Sequence, residues 1–295
     1  MKNKMVRGLV VAGMISMMLT ACGSKEQADV VQTTDMPAVQ ETAVNTSITE
    51  EEAPKAEAVT LTEEDMVVVP IDDTTAMLQS YSGEAESIII PEEINGRKIT
   101  VIGKQAFMNE EQLKSIVIPD TVIEIGEQTF LNCDNLDYVV MSKNIEKIGD
   151  SAFDGSNYYE IDLPDTLKEL GFCAFAGCEF EKLVIPNGVE RTGVGAFSFN
   201  KVIESVDIPG NIKVIELDAF RNCKQLKTVT IEEGVEVIEM CAFRDCASLE
   251  SVTIPASVTE MTDPFYDSPN VTIYTPAGSY AETWAAENGI PCVAQ

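Results

Sequence analysis

Residues 115–136, SIVIPDTVIEIGEQTFLNCDNL, contain one complete unit of a pattern that recurs along most of the chain. A short apolar run ends in Ile-Pro, a turn follows, and a second apolar pair precedes a phenylalanine. This phenylalanine recurs at steps of 23, 23, 22, 22, 23, 23 and 22 residues, at Phe107, Phe130, Phe153, Phe175, Phe197, Phe220, Phe243 and Phe265. One unit of this length cannot bury its own apolar face, so the spacing predicts a solenoid whose stacked units share a core.

The apolar run before each turn is nearly as regular as the phenylalanine. It reads SIVIP at 115–119, EIDLP at 160–164, KLVIP at 182–186, SVDIP at 205–209 and SVTIP at 251–255. Runs of this kind predict one strand per unit. The predicted fold is an α/β-type repeat solenoid dominated by β-structure, with a parallel strand ladder, short turns or 3-10 segments and a C-terminal capping helix.

The unit resembles the BspA-type leucine-rich repeat family, whose pattern is close to L-x-x-I-x-I-P-x-x-V-x-x-I-G-x-x-A-F-x-x-C-x-x-L. The resemblance covers about residues 85 to 275, in eight successive copies. It implies a right-handed leucine-rich repeat coil. It also implies a bacterial surface protein that adheres to host matrix proteins or to other cells.

The N-terminus has the features of an export signal. Three basic residues within the first seven positions precede an apolar run at 8–18 that is too short to span a bilayer. The stretch LTACG at 19–23 resembles a bacterial lipobox, which implies a lipid on Cys22 and attachment to the outer face of the cell membrane. An ordinary signal peptide followed by a chance cysteine is the alternative.

Together with the export signal, composition divides the chain into five predicted parts. The stretch after Cys22 has no aromatic residue and carries acidic runs, so it is predicted to be a disordered tether. Ser279 and Glu282 fit a helix start, and Trp284 would cover the last coil, although an exposed recognition tryptophan is the alternative. The predicted parts are a signal peptide at 1–21, a lipidated tether at 22–65, an N-terminal cap at 66–98, the repeat solenoid at 99–275 and a C-terminal cap at 276–295.

The charge and composition exclude several classes of function. The formal net charge is −29, from 49 acidic and 20 basic residues with no histidine. Nucleic acid is therefore not an expected partner, because phosphate contacts need a basic face. Without histidine the chain lacks the commonest general base and a common zinc ligand, so no catalytic residue, cofactor or metal is predicted.

The eight cysteines fall mostly at repeat positions. Cys133, Cys178, Cys223 and Cys246 each follow the phenylalanine by three residues, where a small buried side chain can donate weakly to the backbone of the turn. Cys173 and Cys241 lie two residues before the phenylalanine, at a position of variable identity. A disulfide is conceivable only between Cys223 and Cys246, on adjacent coils, and that question stays open here. Cys292 has no assigned role.

On a parallel ladder the residues between the buried ones face outward in two columns. In the N-terminal half these columns gather apolar side chains rimmed by charge, which is typical of an interface. The predicted partner-binding residues are Val117, Tyr138, Val140, Glu160, Asp162, Lys182 and Val184. The alternative is that β-propensity alone places valine and tyrosine in strands.

The predicted function is a lipid-anchored surface protein that binds an extracellular protein or glycan, with adhesion implied by the family resemblance. A structural envelope protein without a specific ligand is the alternative. The membrane is an expected partner only through the lipid anchor. The sequence names neither the ligand nor the oligomeric state.

Overall fold

A computed structural model describes residues 58–157 and 161–295, and these form the predicted repeat solenoid with a parallel strand ladder. The described residues contain nineteen short strands and one helix. The elements are β1 (Val59–Thr60), β2 (Met66–Pro70), β3 (Thr75–Tyr81), β4 (Ser87–Ile89), β5 (Glu93–Ile94), β6 (Arg97–Ile102), β7 (Ser115–Val117), β8 (Glu124–Ile125), β9 (Tyr138–Val140), β10 (Lys147–Ile148), β11 (Glu169–Leu170), β12 (Ser205–Ile208), β13 (Val214–Ile215), β14 (Thr228–Ile231), β15 (Val237–Ile238), β16 (Ser251–Thr253), β17 (Glu260–Met261), β18 (Thr272–Thr275), α1 (Tyr280–Asn288) and β19 (Cys292–Ala294).

The predicted strand ladder forms the first side of the solenoid. It runs through β1, β4, β7 and β9, and then through β12, β14, β16, β18 and β19. All pairs are parallel, and Ile116 lies between Ile88 and Val139 in register. Because the repeat keeps this register, the apolar side chain of each strand packs above that of the strand before.

A second parallel sheet was not predicted from the sequence. After each turn, two residues form a strand, so β8, β10 and β11 pair in order and β13, β15 and β17 form a separate set. Ile125 pairs with Ile148, and Ile148 pairs with Leu170. At the N-terminal end this sheet continues into β6, β3 and β2.

The turn around each phenylalanine forms a third hydrogen-bonded side. The N–H of Phe153 donates to the carbonyl of Ala174 on the next coil at 2.9 Å, and Phe175 donates to Ala196 at 2.9 Å. The rings stack with centroids 5.0 to 6.1 Å apart, from Phe107 to Phe265. The phenylalanines thus form one continuous column inside the solenoid.

Two left-handed residues bracket each of these phenylalanines, with φ between 43° and 75°. The residue two before the ring is Gln105, Gln128, Ser151, Cys173, Gly195, Asp218, Cys241 or Asp263, and the residue two after it is Asn109, Asn132, Gly155, Gly177, Phe199, Asn222, Asp245 or Asp267. Cys173 and Cys241 lie two residues before the phenylalanine. The residue type at this position varies between copies, but its backbone conformation is left-handed in every copy. Phe199 is the exception in the second set, because a bulky residue in this region costs about 1–2 kcal/mol.

Two predicted strands, at 160–164 and 182–186, do not appear as strands within the described residues. Residues 161–164 and 183–186 form no strand and Lys182 forms only a single bridge, so within the described residues the ladder stops at β9 and resumes at β12. In these copies the segment before the strand is one residue shorter: Ser156 and Ile161 are five positions apart, whereas Cys133 and Val139 are six. The shortening alone does not remove the strand, because Ser268 and Ile273 are also five positions apart, and Ile273 lies in β18 in register with Val252 on β16. We call residues 161–164 and 183–186 the ladder gap.

The second sheet is interrupted near the same place. It continues past β11 only as a bridge between Glu169 and Arg191, and restarts at β13. Thr192 stands where other copies have a buried isoleucine, leucine or methionine. The turn ladder passes through this region, because Phe197 donates to the carbonyl of Ala219 at 3.0 Å. The phenylalanine turns therefore hold the two halves together.

The N-terminal boundary of the folded part needs correction. The tether was predicted to extend to residue 65, but Val59 and Thr60 pair with β4, and Leu61 is buried. The segment Val-Thr-Leu has the β-propensity and apolar content to add a strand to the ladder. Strands β2 and β3 then form an antiparallel hairpin, and Tyr81 extends the ring column, 5.2 Å from Phe107.

The C-terminal end confirms the predicted capping helix. Ser279 is its N-cap and accepts a hydrogen bond from the N–H of Glu282, while Gly289 ends it in a left-handed conformation. Trp284 is only 8% exposed and meets Phe265 edge-on at 6.3 Å, so it covers the core and is not an exposed recognition residue. The chain then returns as β19, an added strand that places Cys292 beside Ile273.

Candidate binding face

The structure brings three of the predicted partner-binding residues together. Val117 and Val140 are partners on β7 and β9, and Tyr138 lies beside Ser115 on the same two strands. The side chains of Val117, Tyr138 and Val140 are half-buried rather than fully exposed. They form a shallow apolar surface on the first ladder.

Three further predicted residues lie in or beside the ladder gap. Asp162, Lys182 and Val184 are exposed, and Val184 is 59% exposed, an unusual state for a valine beside a core. Asp162 and Val184 lie in no strand, so ladder register with β9 does not set their positions. Glu160 and Cys22 fall outside the described residues. We call Val117, Tyr138, Val140, Asp162, Lys182 and Val184 the candidate binding face.

The same ladder has a different surface in its C-terminal half. The outward residues there are polar and mostly exposed: Ser205, Asp207, Thr228, Thr230, Ser251 and Thr253. Small hydroxyl side chains on strands form an ordinary solvated surface. The two halves of the ladder therefore differ in what they offer a partner.

An edge of arginines and aromatic rings was missed in the sequence analysis. The guanidinium of Arg221 lies 5.5 Å from the ring centre of Phe199, and that of Arg244 lies 5.1 Å from the ring of Tyr266. Asp245 lies 3.2 Å from Nε of Arg244 and 3.9 Å from Nε of Arg221. Comparing the residues one and two after each phenylalanine would have found this set, because only this half places arginine there. Since Asp245 already partners both arginines, the edge offers contact area rather than a free positive site.

A polar groove of about 460 Å³ follows the second sheet. Its walls carry ion pairs between successive coils, with Lys147 Nζ 3.0 Å from Glu124 and Arg191 3.4 Å from Glu169. These pairs are exposed, and each contributes about 0–1 kcal/mol. The groove floor is a column of glycines, where a Cβ on Gly149 would lie 2.7 Å from the backbone nitrogen of Glu127. The groove therefore depends on close backbone stacking.

The cysteines that follow the phenylalanines by three are structural, as predicted. Cys133 Sγ lies 3.1 Å from the carbonyl oxygen of Phe107 on the preceding coil, and Cys178 Sγ lies 3.4 Å from that of Phe153. Burial raises the pKa of the Cys133 thiol to about 12. Cys223, Cys246 and Cys292 are free thiols, so Cys223 and Cys246 form no disulfide with each other. Cys173 is disulfide-bonded instead, so the expectation that only Cys223 and Cys246 could form a disulfide is wrong.

Within residues 58–157 and 161–295, no group of three or more acidic or cysteine side chains is placed to hold a metal ion. In the same ranges, no helix has the length and apolar character needed to cross a bilayer.

The stacked coils, parallel ladder and buried ring column define a leucine-rich repeat protein. The chain belongs to the BspA-type leucine-rich repeat family, whose model matches residues 80–199 and 146–272 in six copies. Proteins of this scaffold type are usually non-enzymatic.

Two solved structures share the fold. A leucine-rich repeat protein of T. pallidum is 22% identical, with a TM-score of 0.59 over 64% of this chain and 90% of that chain. A leucine-rich repeat protein from Bacteroides ovatus is 22% identical, with a TM-score of 0.56 over 72% of this chain and 70% of that chain. No curated protein matches the sequence.

Proposed function

We propose that this protein is displayed on the bacterial cell surface by a lipid on Cys22, binds an extracellular protein or glycan, and so mediates adhesion to host or neighbouring cells. The observation that carries the proposal is the candidate binding face, where Val184 is 59% exposed beside the charged Lys182. An apolar patch rimmed by polar or charged residues is typical of an interaction site, and Val117, Tyr138 and Val140 supply neighbouring apolar surface on β7 and β9. Membership of the BspA-type family supports a binding role.

The test of binding is a titration against immobilised extracellular matrix proteins and surface glycans. Val184→Asp places a charge where a partner would bury a methyl surface, so affinity should fall at least about tenfold, or 1.4 kcal/mol. Thr230→Asp is the matched control, because it adds the same charge to an exposed outward position of β14. Equal loss in both variants, or none in either, would contradict the assignment of the face.

The same titration separates adhesion from a structural role in the envelope. The polar C-terminal half of the ladder and the half-buried Val117 and Val140 favour that second candidate, since a surface without a ligand also has these features. A structural protein would bind no matrix protein or glycan saturably. Saturable binding that Val184→Asp weakens excludes it.

The lipid anchor has an independent test. Cells grown with a labelled fatty acid should transfer the label to the wild-type protein and not to Cys22→Ala. The variant should also appear in the culture medium rather than in the membrane fraction. Membrane retention of unlabelled Cys22→Ala would show that another segment holds the protein at the membrane.

A further inference from the structure

Within the described residues, strand β2 is the terminal strand of the second sheet and is paired on one side only. It is antiparallel to β3, and the other side of β3 pairs with β6. No described residue pairs with the opposite edge of β2. An unpaired edge of five residues presents backbone N–H and C=O groups to any strand that approaches.

Two hydrogen bonds at the ends of β2 show which of its residues face β3. The N–H of Ser82 donates to the carbonyl of Asp65 at 2.8 Å, and the N–H of Ile71 donates to the carbonyl of Thr75 at 3.0 Å. The register shift in this hairpin places the extra residue on β3, so β2 itself is regular. Alternate residues of a regular strand face the same neighbour, so the odd-numbered residues from 65 to 71 face β3.

Met66 and Val68 therefore direct their backbone N–H and C=O groups to the free edge. Pro70 also faces this edge, where its missing N–H removes no hydrogen bond from the hairpin. The free edge thus offers two donors, from Met66 and Val68, and three acceptors. A ligand strand of about five residues could use all of them.

The outer face of the hairpin is apolar beside this edge. Val67 is 50% exposed and Ile71 is 54% exposed, and the half-buried Val69 lies between them. Val69 is in register with Met77 on β3, and Met77 with Val101 on β6. The apolar strip gives the side chains of an added strand a surface on which to pack.

Charge decides what kind of strand fits. Acidic residues flank β2 on both sides, at 63–65 and at 72–73. An antiparallel second copy of β2 would place these two acidic segments against each other, which like-charge repulsion opposes. Only the negative charge of the flank at 72–73 is partly offset by a nearby positive charge, because Nε of Arg97 donates to the carbonyl oxygen of Asp72 at 3.1 Å. The flanks therefore favour a ligand with basic ends.

The acidic character of the flanks persists well below neutral pH. The pKa of Asp72 is lowered to about 2, first by a hydrogen bond from the backbone N–H of Thr74. The pKa of Asp65 is lowered by the backbone and side-chain hydrogen bonds of Thr62.

We propose that the free edge of β2 is a second binding site, which takes an extended segment of a partner protein as an added strand. The segment carries apolar residues at alternate positions and basic residues at its ends. Backbone pairing with Met66 and Val68 supplies affinity. The apolar residues on the outer face, which are Val67, Val69, Ile71, Met77 and Val101, supply selectivity together with the acidic flanks. This site is separate from the candidate binding face and does not depend on the proposed adhesion.

The experiment uses the full chain and a labelled synthetic peptide, KKVTVTVKK. Hydrogen exchange should slow at the amides of Met66 and Val68 when the peptide is present. In an anisotropy titration, EEVTVTVEE should bind at least about tenfold more weakly, because its ends meet the acidic flanks. KKVTPTVKK should also bind at least about tenfold more weakly, because proline removes a donor from the added strand. Equal binding of all three peptides would overturn the proposal.

Variants of the protein distinguish this site from the other. Val67→Lys should weaken binding of KKVTVTVKK at least about tenfold, because it places a positive charge beside the basic peptide. Val184→Lys is the matched control, since this valine is similarly exposed but lies on the candidate binding face. Equal weakening by both variants would show non-specific charge binding. Sedimentation showing a dimer that Val67→Lys dissociates would assign the edge to a second copy instead.

Discussion

The Sγ atom of Cys246 lies 3.2 Å from the carbonyl oxygen of Phe220, on the coil before its own. Every coil from Phe130 onward repeats this relationship, with Cys, Ser or Asn as the donor: Cys133, Ser156, Cys178, Asn200, Cys223, Cys246 and Ser268. The donors link successive phenylalanine turns from inside the core. Three different side chains therefore serve one structural purpose.

Asn200 is the largest donor in this set and leaves an atom without a partner. Its Nδ2 donates to the carbonyls of Phe175 and Phe197, but its buried Oδ1 accepts no hydrogen bond from any described residue. Asn200→Cys should therefore stabilise the protein by about 1 kcal/mol in urea denaturation, because the orphan acceptor is removed. The reciprocal Cys223→Asn should destabilise it by about 1–3 kcal/mol. Destabilisation by Asn200→Cys would show that Oδ1 has a partner.

The buried thiols should be inert in the folded protein. Burial raises the pKa of Cys133 and Cys246 to about 12, and it also raises the pKa of Cys178 and Cys223 well above the ordinary value of a thiol. Because the thiolate is the reactive form, these four should react with a thiol reagent at pH 8 at least about 1000-fold more slowly than in urea.

The partly exposed Cys241 and Cys292 serve as internal references for that experiment. They should be labelled first, as mapped by mass spectrometry of the native protein. Rapid native labelling at Cys133 or Cys246 would contradict their burial.

Asp154 makes stability depend on pH. Burial raises the pKa of its carboxyl to about 6 from an ordinary value of 3.8. The native state binds this proton more tightly than the unfolded chain, so the contribution to stability is complete below about pH 4 and is lost as the pH rises through about 6. Asp154→Asn should therefore gain stability relative to wild type by roughly 1–2 kcal/mol between pH 4 and pH 7.5, after allowance for solvent screening.

That comparison uses denaturation curves at both pH values. The exposed Asp137→Asn is the control, and its difference from wild type should stay nearly constant. An equal pH trend in both variants would assign the effect to the overall negative charge.

Thr192 leaves the core underfilled beside the ladder gap. It lines a small cavity of about 10 Å³ together with Phe197, Ile215 and Phe220, at a position where other copies have a large aliphatic residue. Thr192→Ile should fill this space and raise the free energy of unfolding by about 0.5–1 kcal/mol. Ile215→Thr, the reverse change on the next coil, should lower it by at least as much. If both variants lowered the free energy of unfolding, the cavity would be too narrow for the added methyl group.

Gly149 allows neighbouring coils to approach closely. Because a Cβ there would lie 2.7 Å from backbone atoms of Glu127 and Gly126, Gly149→Ala should destabilise the protein by about 1–3 kcal/mol in thermal or urea unfolding. Glu216 occupies the same repeat position and already has a Cβ, so Glu216→Ala is the control and should change stability by less than about 0.5 kcal/mol. If Gly149→Ala and Glu216→Ala changed stability by similar amounts, the close approach of the coils at Gly149 would not be the cause.

The roles of the residues that recur in every unit could be predicted, because each recurs at a fixed spacing in the same buried or exposed environment. The phenylalanine spacing predicted stacked units with a shared core, and the residue three after each ring predicted the internal donors, because a solenoid repeats one environment. The helix at 280–288 was also predictable, since Ser279, Glu282 and Gly289 are strong boundary residues. Local chemistry decides each of these features.

Features that depend on how units combine were not predictable from one unit. The ladder gap coincides with a one-residue shortening before Ile161 and Leu183, but the same shortening before Ile273 leaves β18 paired, so the length of one unit does not decide whether its strand forms. The arginine edge requires Phe199 and Arg221 on different coils to meet. The binding face was predicted from outward alternation, but the partial burial of Val117 and Val140 depends on packing outside their own strands.

The edge-on contact between Trp284 and Phe265 has a practical consequence, because Trp284 is the only tryptophan in the chain. Indole fluorescence therefore reports on the helix-capped end alone, while circular dichroism averages over the whole array. Because repeat arrays can lose cooperativity at a weak junction, the two signals will separate during denaturation if the segments on either side of residues 161–186 melt independently. Emission from this one side chain thus measures how far cooperative unfolding spreads through the molecule.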